Sequence, residues 1–157
     1  ILKLQKRAVR TIVKQKYNAH TDPIFRKLQI LKVDDLKRMC ELKFYHKYVN
    51  NSLPEYFLTN FISTNNDVHN RLTRNSDKLV VPVHRRQCFR SGLRFTIVKT
   101  VNESSDNVIS KCSTHSLNSF SKYVKNKYIN NYSLMCTRQN CYICQNNWFI
   151  LNTCIRL

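Results

Sequence analysis

The sequence predicts a mainly α fold, a small irregular helical domain with a few short extended segments and a Cys-rich C-terminal tail. Three observations lead there. Apolar residues recur at helical spacing in several separate stretches. The 157 residues include one glycine and three prolines, too few turn-formers for a barrel built on many tight hairpins. With 42% hydrophobic and 11% aromatic residues, the chain is too apolar to be disordered on composition. A chain of this length suits one domain, able to bury roughly 70% of its unfolded surface.

Each element follows from its own pattern. Ile1 to Tyr17 predicts an amphipathic helix, with Ile1, Leu4, Ala8, Val9, Ile12 and Val13 on one side and Lys3, Lys6, Arg7, Arg10 and Lys14 on the other. After a break at Asn18 to Thr21, Asp22 is placed to cap a short helix. Pro23 takes its first position, where a missing N–H costs nothing. The clearest helix starts at Val33 or Asp34 and runs to about Asn50. Leu36, Met39, Cys40, Phe44 and Tyr48 form its stripe, and Asp34 and Asp35 complement its dipole. Pro54 opens a short helix around Tyr56, Phe57 and Phe61, and Ser63 to Asn70 reads as a polar loop. Leu79 to Val83 is β-rich, but Pro82 restricts it to an edge strand or an extended segment. Arg85 to Lys99 fits helix or strand equally, and Asn102 to Asn107 is a second polar loop. Ser113 to Asn130 returns to helix, with Ser116 as a cap, Leu117, Phe120, Val124 and Tyr128 in one row and Lys122, Lys125 and Lys127 outside. The expected organisation is an N-terminal helical subregion (1–62), a polar boundary (63–78), a mixed extended and helical subregion (79–132) and the Cys-rich tail (133–157).

Lys and Arg number 27 against 9 Asp and Glu, a formal charge of +18. Such a molecule attracts polyanions, and nucleic acid is the commonest. The basic residues recur along most of the chain instead of concentrating in one amphipathic anchor, which argues against a membrane surface. No apolar run approaches the roughly 20 residues of a membrane span, and nothing in the sequence resembles a signal peptide. The residues expected to hold phosphates are Lys3, Lys6, Arg7, Arg10 and Lys14 in the first helix, Arg71 and Arg74 in a polar loop, Arg85 and Arg86 after it, and Lys122 and Lys125 in the last helix. Tyr45, Tyr48 and Tyr123 can stack on bases, although their helical spacing fits core or boundary positions better.

Cys136, Cys141, Cys144 and Cys154 cluster near the C-terminus with spacing that suits a structural zinc ion; a tight Cys-x2-Cys turn lets two thiolates reach one metal. The total of seven cysteines is odd and there is no export signal, so reduced thiols are expected and not a disulfide framework. The sequence offers little to catalysis. One Gly cannot build a dinucleotide fingerprint or a P-loop. The adjacent carboxylates Asp34 and Asp35 are explained by a helix start, Glu41 reads as a surface residue, and no His falls in a zinc-protease motif. No small-molecule substrate is implied. A free-standing zinc nuclease would need carboxylates converging on metal, and few are available.

Leu4-Gln5-Lys6-Arg7-Ala8-Val9-Arg10, Tyr17-Asn18-Ala19-His20-Thr21-Asp22-Pro23-Ile24-Phe25 and Leu28-Gln29-Ile30-Leu31-Lys32-Val33 together resemble the region C-terminal to the polymerase domain of LINE-type (non-LTR, Jockey-like) retrotransposon reverse transcriptases. Phe44-Tyr45-His46-Lys47-Tyr48, Leu53-Pro54-Glu55-Tyr56-Phe57, His69-x3-Thr73-Arg74 and the stretch from Ser119-Phe120 to Tyr128-Ile129-Asn130 continue the resemblance, which covers about residues 2 to 132. Arg71 stands where the family pattern has Tyr, and the Cys spacing differs from the family's Cys-Cys-His-Cys knuckle. The resemblance implies the helical tail of an RNA-directed DNA polymerase polyprotein. Its catalytic motifs would lie upstream, so this fragment alone would be no enzyme. Its partners would be template RNA or target DNA and the upstream reverse transcriptase domain, and its location intracellular, nuclear or cytoplasmic. The opening at Ile1, inside a helical pattern, fits the same expectation of a longer polypeptide. The alternative is a structural helical buttress or a degenerate retroelement relic without activity of its own.

Overall fold

The computed structural model describes residues 1–59, 61–69, 74–83 and 85–134. Helix accounts for 63% of these residues, and none of them forms a strand or sheet, so the fold is mainly α. The helices are α1 (Leu2–Ile12), α2 (Asp22–Lys27), α3 (Val33–Val49), α4 (Glu55–Leu58), α5 (Asn65–His69), α6 (Gln87–Arg90), α7 (Leu93–Glu103), α8 (Asp106–Thr114) and α9 (Leu117–Asn130). The described residues divide into two compact units, one of residues 1–36 and 125–134, the other of those between 37 and 124.

In the first unit, Val9, Ala19, Ile24, Phe25, Leu31, Ile129 and Tyr132 are buried. The ring of Phe25 meets Tyr132 edge-on at 6.3 Å between centroids. Polar bonds fix the connections around this core. Gln5 donates its amide to the carbonyl of Leu31 at 2.8 Å and accepts the Val33 N–H at 2.9 Å, tying α1 to the start of α3. The Tyr132 hydroxyl donates to Asp35 at 2.6 Å and accepts the Lys32 N–H at 2.9 Å. Arg26 donates to the carbonyls of Asn130 and Tyr132 at 3.3 and 3.0 Å, using the unpaired end of α9. Asp22 does not cap α2: Thr21 is the N-cap position, and the Asp22 carboxylate pairs with Lys32 at 2.8 Å.

The ends of α1, α2 and α3 share one device. Lys14, Gln29 and Asn51 take positive φ values of 53°, 55° and 50°. The next amide then reaches back into the helix: Gln15 to the Arg10 carbonyl, Ile30 to Phe25 and Ser52 to Lys47, at 2.9, 3.0 and 2.8 Å. This is the Schellman closure, which glycine usually makes and which here uses other residues. It ends α1 at Ile12, five residues before the helical pattern fades at Tyr17.

The second unit buries Leu42, Ile62, Leu79, Ile97, Val98, Val101, Val108, Cys112, Phe120 and Val124. The stripe expected on α3 is not its buried side. Leu36 and Cys40 are exposed, while Glu41, Leu42 and His46 are buried. The two polar side chains are buried because each has a partner: Glu41 accepts from the Thr100 hydroxyl, and His46 Nε2 lies 2.8 Å from the carbonyl of His115. Glu41 is therefore a core residue and not a surface one. Phe44, Phe57 and Phe61 pack α3 against α4 and the turn after it, with centroids 5.4–5.8 Å apart.

The expected polar loop from Ser63 contains α5. Thr64 and Asp67 form a capping box: Thr64 donates its N–H and hydroxyl to Asp67 at 2.8 and 2.6 Å, and the Asp67 N–H returns to the Thr64 hydroxyl at 3.3 Å. Of the β-rich stretch, Leu79 alone pairs, in one antiparallel bridge with Thr64. Its other edge is taken by the Asn102 side chain, which accepts the Leu79 N–H at 3.0 Å and donates to its carbonyl at 2.9 Å. The ambiguous stretch 85–99 is helical, as α6 and most of α7, joined through Gly92. A Cβ at Gly92 would stand 3.0 Å from the Phe89 carbonyl oxygen, so the only glycine sits where the backbones of two helices meet.

Candidate nucleic-acid interface

The acidic residues are few, and several are already engaged by other side chains. Asp22 holds Lys32, Asp35 holds Tyr132, Glu41 holds Thr100 with Lys37 at 3.9 Å, Asp67 holds Thr64, and Glu103 lies 3.8 Å from Lys99. The Thr64 hydroxyl and N–H keep the Asp67 carboxyl below the ordinary carboxylate range. No Asp or Glu occurs before Asp22, between Asp77 and Glu103, or after Asp106. Long stretches of positive charge are thus left without acid in sequence.

On α1, Lys3, Lys6, Arg7 and Arg10 fall within one face of the helix, three or four residues apart. Lys3 and Arg7 are exposed, and Lys6 is half-buried. Arg10 is engaged: its Nε donates to the Ala19 carbonyl at 2.8 Å, and its guanidinium stands 5.9 Å from the Tyr17 ring centroid. Lys14 lies beyond the helix, exposed, on its left-handed closing turn. In α9, Lys122 and Lys125 are exposed on one side. Arg74 is exposed, and Arg71 lies outside the described residues.

A fully exposed cationic stretch lies in the second unit. Every residue from Arg85 to Arg94 is exposed. Arg85 and Arg86 were expected here; Arg90 and Arg94 extend them, and the sequence signal that reveals them is four arginines in one acid-free segment. Neither α6 nor α7 carries an acidic residue in its first turn. Among the described residues, none of these arginines joins an ion pair. Apolar groups are exposed in the same stretch, with Phe89 at 54% and Leu93 at 48%.

The three tyrosines are occupied within the second unit. Tyr48 donates its hydroxyl to the Ile62 carbonyl at 3.0 Å and stacks on Tyr45 at 6.4 Å. The Tyr123 ring carries the Lys111 ammonium 3.5 Å from its centroid. They serve packing, as their spacing suggested.

Cys136, Cys141, Cys144 and Cys154 lie outside the described residues. Among the described residues no group of three His, Cys, Asp or Glu side chains is placed to hold a metal. Cys40 and Cys88 are exposed free thiols, and Cys112 is a buried one. No helix of the described residues is long and apolar enough to cross a membrane. No protein-family profile, curated protein or solved structure matches this chain.

Proposed function

We propose that this chain is the non-catalytic C-terminal portion of a retrotransposon RNA-directed DNA polymerase, acting inside the cell, in nucleus or cytoplasm, by holding template RNA or target DNA through phosphate contacts. The observation that carries the reading is that each unit by itself exposes cations in acid-free stretches: Lys3, Arg7 and Lys125 in the first, the 85–94 segment and Lys122 in the second. Uncompensated like charges repel one another, and a polyanion relieves that repulsion. The family-like motifs between Leu4 and Asn130 supply the polymerase context. If about six phosphates are neutralised, log K falls against log salt with a slope near −5. Anisotropy titrations of labelled RNA and DNA at several salt concentrations measure it, and an affinity indifferent to salt overturns the reading.

The cysteines of the tail, Cys136, Cys141, Cys144 and Cys154, belong to the same proposal as a structural zinc site. Metal analysis of the purified chain is expected to give one zinc per molecule; an apo protein removes this part without touching the phosphate contacts.

A buttress role has one observation in its favour. Ile1, Leu4 and Ile12 are 90%, 70% and 64% exposed on α1, and with Ala8 they form an apolar row beside the basic one. On that reading α1 packs against another part of the polymerase, and nucleic-acid affinity is weak and independent of length.

A further inference from the structure

We propose, going beyond the nucleic-acid reading above, that the outer side of α1 is a docking surface for an acidic amphipathic helix of a protein partner. Leu4, Ala8 and Ile12 meet the partner's apolar stripe, and Lys3 and Arg7 meet its carboxylates.

Leu4, Ala8 and Ile12 follow one another at i, i+4 and i+8, so they share one side of α1, and all three are exposed. The helix is held by a different side. Val9 is buried, and Gln5 is bonded to the Leu31 carbonyl and the Val33 N–H. The apolar row is thus displayed on a helix that is already ordered, which lowers the entropic cost of docking.

The chemistry around the row selects its occupant. Leucine and isoleucine gain by leaving water and gain nothing from a phosphate, so the row fits an apolar surface and not a nucleic acid. A cationic row runs beside it. Lys3 and Arg7 are i, i+4 neighbours, and Arg7 stands three residues after Leu4. Both are exposed, and among the described residues neither joins an ion pair. No Asp or Glu occurs before Asp22, so the charge that complements this flank is a partner's carboxylate. A second copy of this chain fits poorly, because it would bring another charge of +18 to the same face. Ala8, small between two larger side chains, leaves a notch of the kind that a side chain of a packed helix fills.

The test uses the full chain and two fluorescent helical peptides of about 20 residues with one leucine stripe, bordered by Glu in one and by Lys in the other. The Glu peptide is expected to bind about tenfold more tightly than the Lys peptide. Leu4→Gln with Ile12→Gln is expected to weaken the Glu peptide about tenfold, and Ala8→Gln, which fills the notch, about threefold. Lys3→Gln with Arg7→Gln is expected to bring the two peptides within about threefold of each other. Circular dichroism checks that the helices are kept, and Ala8→Gln carries the test alone if the double apolar variant loses them. Binding of neither peptide, equal binding of both, or Glu-peptide binding that these changes leave unmoved overturns the proposal. So does a wild-type chain that dimerises, or binds phosphatidylserine vesicles, only while Leu4 and Ile12 are intact, since a second copy or a lipid surface is then the occupant. Salt-dependent binding of RNA and DNA by the Leu4 and Ile12 variant is expected to match the wild type. A parallel loss overturns the docking surface, whereas a wild type without such binding overturns the nucleic-acid reading alone.

Discussion

Cys112 is 1% exposed and donates its thiol to the Val108 carbonyl at 3.5 Å. Burial pushes its pKa up to about 11 from an ordinary value of 9.0. The folded protein therefore keeps a proton that the unfolded chain gives up as pH rises. The stability associated with that proton is fully present below about pH 9 and is lost on the way to about 11. Tyr45 and Tyr132, both raised by burial, act in the same direction at higher pH. Urea unfolding followed across this window is expected to show falling stability, and Cys112→Ala is expected to flatten the fall while lowering stability at neutral pH by leaving a cavity. At this scale the sequence was hard to read. A carboxylate at position 41 and an imidazole at 46 look like surface groups until their partners are known. Those partners, the Thr100 hydroxyl and the His115 carbonyl, lie 59 and 69 residues away, beyond the reach of any local pattern.

Among the elements, the first unit is closed by a single phenol. The Tyr132 hydroxyl bridges the Asp35 carboxylate and the Lys32 N–H, its ring has the Lys32 ammonium 4.5 Å from its centroid, and its edge meets Phe25. Tyr132→Phe keeps the ring and strips both hydrogen bonds, leaving a half-buried carboxylate and a peptide N–H without their partner. A loss of about 1–3 kcal/mol is expected, measured as a shift in the urea midpoint at constant m-value. The position and type of α1, α3 and α9 were legible because each has many periodic residues, and Ser116 does sit at the start of α9, accepting the Ser119 N–H at 3.4 Å. The short elements were not. Thr64-Asn65-Asn66-Asp67 carries a capping-box signature, but the polar residues around it read as loop. The 85–99 stretch has alternating and helical apolar spacings superimposed, and the four-residue α6 is too brief for periodicity to decide. In the candidate interface, position and charge were legible for Lys3, Arg7, Arg85, Arg86, Lys122 and Lys125, whereas the bond from Arg10 back to Ala19 follows from the left-handed turn at Lys14, which no glycine advertised.

For the whole molecule, a charge of +18 on 157 residues is a destabilising field that the three ion pairs among the described residues do little to offset. Screening it is expected to help. Raising sodium chloride from about 10 mM to about 150 mM shortens the Debye length from roughly 30 Å to 8 Å, so Tm is expected to rise, in contrast to the fall seen when stability depends on surface ion pairs. Differential scanning fluorimetry reads the sign directly. The same salt that steadies the fold loosens its grip on nucleic acid, so stability and affinity are expected to move in opposite directions along one titration. The helix closures at Lys14 and Gln29 have a consequence for engineering. An ordinary side chain held at positive φ sits uphill by about 1 kcal/mol, so the chain keeps unused reserve at two solvent-facing corners. Exchanging Gln29 for the residue such corners favour would toughen the protein without removing a single cation from its surface.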